Sequence, residues 1–165
     1  MSPYPDDILA AAESVLNAAR GKSLKIVTAE SCTGGLLSGA LTEIAGSSDV
    51  FERGYIVYSN LAKAEALGVD KQLLMAAGAV SAEVASAMAE GALTRSRSHL
   101  AVAITGIAGP GGGSPGKPVG LVHFAGLRRG AEPRPTERRF GDIGRAEVRL
   151  AAVREALDIL RGLIA

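Results

Sequence analysis

The stretch LKIVTAESCTGGLLSGALTEIA, residues 24–45, indicates the fold class. Its first six residues are apolar and β-branched enough to predict a short strand. Residues 31–35 follow with the composition of a tight turn, and LLSGALTEIA has apolar residues at helical spacing. A strand, a tight turn and a helix in this order open a βαβ unit, so the stretch predicts an α/β domain.

The rest of the chain continues this alternation. Upstream, residues 6–20 predict an amphipathic helix whose start is capped by Asp6 and Asp7. Further strands are predicted at 54–60, 99–105, 119–127 and, at a sheet edge, 135–141. Further helical segments are predicted at 61–76 with a break at Gly68, at 81–95 with Ser81 as cap, and from about 143 to 164. We expect one domain over residues 1–165, a three-layer α/β/α sandwich with a mixed, largely parallel sheet.

Composition limits the function classes. Aromatic residues make up 4% of the chain and Trp is absent, so stacking platforms for single-stranded nucleic acid are not expected. Eighteen basic residues balance seventeen acidic ones, so no basic field attracts nucleic acid or a membrane. A single Cys excludes an internal disulfide and a cysteine-clustered metal site. With no signal-peptide pattern and no membrane-length apolar run, we expect a cytoplasmic protein.

The turn after the first strand carries the first candidate site. Ser31 falls at the carboxyl edge of the sheet, where ligands of α/β domains bind, and a helix N-terminus with free N–H groups follows it. Gly34 and Gly35 let a ligand approach the backbone. Other interpretations stay open: Ser31 or Thr33 serves only as a helix cap, and Cys32 is either an activated thiol or a buried inert one.

A nucleophilic serine needs a base, and the sequence offers few. His99 and His123 are the only histidines, and both fall in predicted strands, where structural roles are common. A lysine is the other known activator of a serine. Lys63 follows the YSN segment at the end of a predicted strand, which can share a sheet edge with Ser31. Burial would lower the pKa of Lys63 enough for a base, whereas an isolated lysine is otherwise a solvated surface residue.

The segment TGIAGPGGGSPGKP, residues 105–118, is the second candidate. It partly matches the phosphate-binding P-loop and the dinucleotide-binding glycine pattern. Both require a helix after the glycines, and here a strand follows, while Pro118 replaces the Ser or Thr of a P-loop. A flexible loop that covers a substrate, with Thr105 aimed at the ligand, or a plain surface loop remains.

Taken together, the motifs TAESCTGG, FERGYIVYSN-x-x-K, GAVS and ITGIAGPGGGSPGKPVGLVHFA, followed by FGD, resemble the CinA C-terminal domain family over about residues 6–164. Enzymes of this family are nicotinamide-nucleotide amidases, also called nicotinamide mononucleotide deamidases. The resemblance implies hydrolysis of the carboxamide of nicotinamide mononucleotide to nicotinate mononucleotide and ammonia, in pyridine nucleotide recycling and NAD salvage. It further implies a stand-alone amidase without metal or cofactor, a small nucleotide as substrate, and a homodimer or higher homo-oligomer.

By the same resemblance, Ser31 is the nucleophile and Tyr58 and Lys63 activate it, with Lys63 taking the proton directly or through Tyr58. The family's YSNEAK reads YSNLAK here, so Leu61 departs from the pattern and leaves the chemistry-bearing positions intact. The N–H groups of residues 33–35 are expected to stabilise an oxyanion. Expected substrate contacts are Glu30, Thr33, Gly34, Gly35, Asn60, Thr105, Gly106 and Arg145. Arg145, near the start of the last helix, is a candidate for the phosphate, as is a Lys or Arg of a neighbouring subunit.

Two other functions stay open. One is a catalytically silent nucleotide-binding or regulatory module linked to competence or DNA damage, against which the intact Ser31, Tyr58 and Lys63 set argues. The other is a metal-dependent nucleotide hydrolase. Only three loop aspartates suit it, and they lack a recognisable ligand spacing; they are Asp49, Asp70 and Asp142.

Overall fold

A computed structural model describes all 165 residues. The helices are α1 (Asp6–Gly21), α2 (Leu36–Glu43), α3 (Asn60–Leu67), α4 (Lys71–Ala77), α5 (Ala82–Thr94) and α6 (Arg145–Ile164). The strands are β1 (Ile26–Glu30), β2 (Phe51–Ile56), β3 (Leu100–Gly106), β4 (Leu121–Arg128) and β5 (Arg134–Arg139). None of the helices is both long enough and apolar enough to cross a lipid bilayer.

The strands form one sheet in the order β2-β1-β3-β4-β5. β1 pairs in parallel with both β2 and β3, while β4 runs antiparallel to β3 and to β5. Only β4 therefore points the opposite way, and the expected mixed, largely parallel sheet is confirmed.

Helices cover both faces of this sheet, which confirms the three layers. One apolar cluster packs α1, α2 and α6 against the first face, and a second packs α3, α4 and α5 against the other. All five residues of β1 are buried, as expected of a central strand covered on both sides. Aliphatic side chains make up most of both clusters; Phe124 is the one fully buried aromatic residue.

Two helix starts show how local sequence sets the elements. Ser81 caps α5 as predicted, because its Oγ accepts the Val84 N–H at 3.2 Å. Asp6 and Asp7 do not cap α1: they lie inside its first turn, and the Asp7 carboxylate accepts from the Arg154 Nε at 2.6 Å.

The carboxyl ends of β1, β2 and β3 lie at one level. Glu30, the last residue of β1, pairs with Ile56 of β2 and with Ile104 of β3. Loops leaving these three strands therefore meet at one edge, where open α/β sheets bind ligands.

Candidate active site at the sheet edge

Ser31 is the first residue beyond β1 and is still held by the neighbouring strands. Its N–H donates to the Ile104 carbonyl at 3.0 Å, and the Val57 N–H donates to the Glu30 carbonyl at 2.8 Å. The hydroxyl therefore stands between the ends of β2 and β3, and the residue is only 7% exposed.

Lys63 of α3 reaches this hydroxyl from the side. Ser59 caps α3 by accepting the Ala62 N–H at 3.0 Å, which turns the buried face of α3, with Lys63 and Leu67 one turn apart, toward the sheet. Lys63 Nζ lies 3.0 Å from Ser31 Oγ, 3.0 Å from the Val57 carbonyl oxygen and 3.2 Å from the Tyr58 carbonyl oxygen.

Lys63 is only 1% exposed, and this burial lowers the pKa of its amine. An ionised Cys32 thiolate would oppose the shift. Burial, however, raises the pKa of the Cys32 thiol to about 11, so Cys32 is neutral near pH 7 and supplies no such charge. The site therefore shifts Lys63 toward its neutral form relative to an exposed lysine.

A cavity of about 180 Å³ opens above the Ser31–Lys63 pair. Its lining residues are Ser31, Cys32, Tyr58, Lys63, Ala79, Val80, Thr105, Gly106, Ala108 and Arg145. Thr105 donates its hydroxyl proton to the Ala79 carbonyl at 2.9 Å, which ties the α4–α5 connection over the cavity. Gly106 must be glycine, because a Cβ there would lie 2.8 Å from Val122 Cγ2 and 2.9 Å from the Leu121 carbonyl oxygen.

Arg145 and Tyr58 form the mouth of the cavity. Arg145 donates from Nη2 to the Tyr58 hydroxyl at 3.1 Å and from Nη1 to the Gly109 carbonyl at 2.7 Å. The Tyr58 hydroxyl makes no hydrogen bond to Ser31 or Lys63, and the side chain is exposed. The predicted relay through this hydroxyl is therefore not built; Tyr58 holds Lys63 by its backbone carbonyl instead.

The turn after Ser31 carries unpaired donors. The N–H groups of Cys32, Thr33 and Gly35 have no acceptor within the chain, whereas the Gly34 N–H donates to the Ser31 carbonyl at 3.0 Å. This removes Gly34 from the predicted oxyanion donors and adds Cys32, which the sequence interpretation had not included.

Glu30 was expected to contact substrate, but it lies beneath the site with no exposed surface. Its carboxylate accepts the Thr33 hydroxyl at 2.7 Å, the N–H groups of Leu37 and Ser38 at 3.0 Å each, and the Ser38 hydroxyl at 2.6 Å. Glu30 and the Thr33 side chain therefore anchor the N-terminus of α2 and do not reach a ligand; only the Thr33 N–H stays available.

Three further predicted contacts lie off the cavity. Gly34 is on the outer side of the turn, and Gly35 packs against Ile56, where a Cβ would lie 2.9 Å from Ile56 Cδ1. Asn60 begins α3 and borders a separate hollow with Leu61 and Met75.

The other sequence candidates do not join the site. His99 accepts the Lys25 N–H at 2.9 Å, and His123 borders a different cavity of about 580 Å³ beyond Val80. That larger cavity holds one serine, Ser81, whose hydroxyl is engaged in capping α5. No group of three or more His, Cys, Asp or Glu side chains is arranged to hold a metal ion, and Asp49 pairs with Arg20 at 2.6 Å.

Sequence reasoning missed two parts of the site. Ala79 and Val80 form one cavity wall, and the GAVS motif that contains them was their only signal. Arg149, one helical turn after Arg145, donates from Nε to the Cys32 carbonyl at 3.1 Å and from Nη2 to the Thr33 carbonyl at 3.2 Å.

The model of the CinA C-terminal domain family matches residues 9–164. The chain belongs to this family. A CinA-like protein of Synechococcus sp. (strain RCC307) is 51% identical over 157 residues, which are 94% of this chain and 37% of that protein. A putative competence-damage inducible protein of Caldicellulosiruptor bescii is 49% identical over 150 residues, 36% of its length. The chain thus spans about a third of these curated relatives.

Solved CinA structures share the whole architecture. A competence/damage inducible protein from Agrobacterium tumefaciens, named CihA, is 54% identical with a TM-score of 0.98, and the match covers 100% of both chains. A CinA superfamily protein from Klebsiella pneumoniae 700603 is 34% identical with a TM-score of 0.90, covering 95% of this chain and 97% of that one. Both matches run over nearly the full length of the solved chains.

Proposed function

We propose that this CinA domain is a serine amidohydrolase that converts nicotinamide mononucleotide to nicotinate mononucleotide and ammonia. The observation that carries the proposal is the 3.0 Å contact between Ser31 Oγ and the buried Lys63 Nζ inside a cavity at the sheet edge. The choice of substrate rests on the resemblance of the motifs to the amidases of the family.

The surroundings of Lys63 orient it as a base. A neutral amine has two protons and one lone pair. The carbonyl oxygens of Val57 and Tyr58 lie within hydrogen-bond distance of Nζ and accept its two protons, which leaves the lone pair to accept the Ser31 hydroxyl proton. Because burial lowers the pKa of Lys63, this neutral form is populated at lower pH than in an exposed lysine.

The reaction then proceeds by two acyl transfers. Lys63 takes the Ser31 proton as Oγ bonds to the carboxamide carbon, and the N–H groups of Cys32 and Thr33 donate to the oxyanion. Lys63 returns the proton to the departing nitrogen, so ammonia leaves and an ester to Ser31 remains. Lys63 next deprotonates a water that attacks this ester, and nicotinate mononucleotide is released as Ser31 regains its proton.

The size of the cavity indicates which part of the substrate it can enclose. Sites that enclose a drug-sized ligand measure about 300–1,000 Å³, so a cavity of about 180 Å³ suits the carboxamide and part of the pyridine ring. The ribose and phosphate then extend to the mouth. Arg145 is exposed there and uses only two of its five N–H donors, so it is our candidate for the phosphate.

The test measures ammonia and nicotinate mononucleotide formed from nicotinamide mononucleotide with a chelator present. The native chain, Ser31→Ala and Ser98→Ala are compared. Ser98 is an apt control because its hydroxyl is fully buried and has no hydrogen-bond partner. We expect Ser31→Ala to lose on the order of 10⁴-fold in rate or more, and Ser98→Ala to retain the native rate.

The other outcomes discriminate the alternatives. Equal rates for Ser31→Ala and the native chain would remove Ser31 as nucleophile. Loss of native activity only in the chelator would favour a metal-dependent hydrolase. No product from folded native protein would refute the substrate assignment and leave a silent nucleotide-binding module as the better account.

A further inference from the structure

Arg149 binds the turn that follows Ser31 but does not line the cavity. The residue lies in α6 and is half-buried, and its guanidinium donates to two consecutive carbonyls, those of Cys32 and Thr33. These are the two residues that follow Ser31. Arg149 does not line the cavity and makes no hydrogen bond to Ser31 or Lys63.

The two contacts set the direction of a peptide group. In a trans peptide the C=O of one residue and the N–H of the next point in opposite directions. Because the Cys32 carbonyl faces Arg149 on α6, the Thr33 N–H points away from α6. The helix α6 belongs to one outer layer and α3, which carries Lys63, belongs to the other. The Thr33 N–H is therefore directed toward the side on which Lys63 meets Ser31.

We propose that Arg149 is a positioning residue that holds the Cys32–Thr33 peptide so that its N–H faces the oxyanion. The proposal rests on the proposed function, since it requires an oxyanion at Ser31. A guanidinium bound to the carbonyl also polarises the peptide and strengthens its N–H as a donor.

The turn needs such an anchor on its outer side. Gly34 and Gly35 follow with φ of +56° and +101°, and glycine allows the backbone to reorient at little cost. Glu30 anchors the inner side by binding the Thr33 hydroxyl and the first N–H groups of α2, but it contacts neither of the carbonyls that Arg149 holds. Removing Arg149 should therefore loosen the peptide orientation while α2 and the fold persist.

The test compares Arg149→Ala, Arg149→Lys and a control, Arg154→Ala, by ammonia release from nicotinamide mononucleotide. Arg154 lies on the same helix but pairs with Asp7 of α1, away from the cavity. Removing one oxyanion donor costs about 10²–10³-fold in kcat, so misorienting one should cost roughly 10–100-fold. We expect that fall in kcat for Arg149→Ala with KM within about threefold, a partial return in Arg149→Lys, and a native kcat in Arg154→Ala.

The pH profile separates positioning from general damage. If Lys63 is the base, the rate rises with pH as Lys63 loses its proton. Arg149 makes no hydrogen bond to Lys63, so in Arg149→Ala the midpoint of this rise should stay the same while the plateau rate falls. An unchanged kcat in Arg149→Ala, an equal fall in Arg154→Ala, or a shifted midpoint would each overturn the proposal. If Arg149→Ala does not fold, Arg149→Gln, which keeps one donor, carries the same expectation.

A second measurement distinguishes this failure from failure of the proposed function. A fluorophosphonate loses fluoride as it bonds to an activated serine, and its phosphoryl oxygen, on which negative charge builds up during the displacement, uses the same donors without any amide substrate. If the native chain labels at Ser31 but does not hydrolyse the nucleotide, the substrate assignment fails, and a 10–100-fold slower labelling of Arg149→Ala still supports positioning. If the native chain neither labels nor hydrolyses, both proposals fall.

Discussion

The substitution Lys63→Met tests the chemistry most directly. Met has nearly the length of Lys without its amine, so it keeps the apolar contacts along α3 and removes only the partner of Ser31 Oγ. If Lys63 is the base, Ser31 loses its proton acceptor and no other titratable side chain is within hydrogen-bond distance to replace it.

The expected magnitude follows from the single contact that is lost. General-base catalysis contributes about 10²–10⁴-fold, so kcat should fall by that factor, or about 3–5 kcal/mol at about 1.4 kcal/mol per tenfold. KM should change little, because the Lys63 amine is engaged by Ser31 and two backbone carbonyls rather than by the bound nucleotide.

The pH dependence gives an independent check. The neutral amine is the active form, so the native rate rises with pH, and burial places the midpoint below the ordinary lysine pKa of about 10.4. In the window between the folded and unfolded pKa values of Lys63, the unfolded chain binds more protons, so stability falls as pH decreases through it. Below that window Lys63 is protonated in the folded chain, and the full free-energy cost of burying its charge lowers the native stability. Lys63→Met has no such cost. The free energy of unfolding of Lys63→Met relative to native should therefore decrease as pH rises.

These measurements need ammonia release and chemical denaturation between about pH 6 and pH 10, with Lys71→Met as control. Lys71 is exposed at the start of α4 and makes no hydrogen bond through its side chain. Retention of more than about one-tenth of the native kcat in Lys63→Met would refute the assignment of the base. A native rate that does not rise with pH would do the same.

Two smaller changes test the neighbours of this pair. Tyr58→Phe removes only an exposed hydrogen bond to Arg145, worth about 0.5–1.5 kcal/mol. Steady-state kinetics should therefore show KM raised about two- to tenfold and kcat nearly unchanged. If the Tyr58 hydroxyl relayed the proton, kcat would instead collapse. Cys32→Ala should leave kcat within about threefold, because burial keeps the pKa of this thiol at about 11 and the thiol unreactive. The loss of this buried side chain should lower the free energy of unfolding by roughly 1 kcal/mol in chemical denaturation. Rapid alkylation of the native thiol at pH 8, with loss of activity, would contradict this.

Local sequence patterns predicted almost all of the helices and strands. Alternating strands and helices, a nearly all-apolar strand at residues 99–105 and the Ser81 cap predicted the order of elements and the layers. The second strand was displaced: residues 54–60 were predicted, whereas β2 covers Phe51–Ile56. The segment beyond Ile56 has strand-like composition, but its Val57 and Tyr58 carbonyls turn to Lys63 and Ser59 caps α3. Functional contacts thus ended a strand that propensity alone would have continued.

The candidate site followed from the sequence to the extent that its side chains bear recognisable chemistry. Ser31, Lys63, Thr105 and Arg145 were all named, and the structure places all four around one cavity. A substrate contact was predicted for Glu30 because a carboxylate next to a nucleophile suggests one. In a strand buried on both faces it has no path to the cavity, and four internal donors offset the cost of burying it.

Backbone orientation is the part that residue type does not encode. Lys63 was named from its place at the end of a predicted strand and from the family motif, and Glu30 from its place beside Ser31. Arg149 had no such signal, since it is one of several arginines on the last helix and its acceptors are carbonyls that every residue carries. The donors were predicted as the N–H groups of residues 33–35, whereas the Gly34 N–H is engaged by the Ser31 carbonyl and those of Cys32, Thr33 and Gly35 stay unpaired. Which N–H groups face an oxyanion is decided by what holds the opposite ends of their peptides, and here that is an arginine 116 residues away from Thr33.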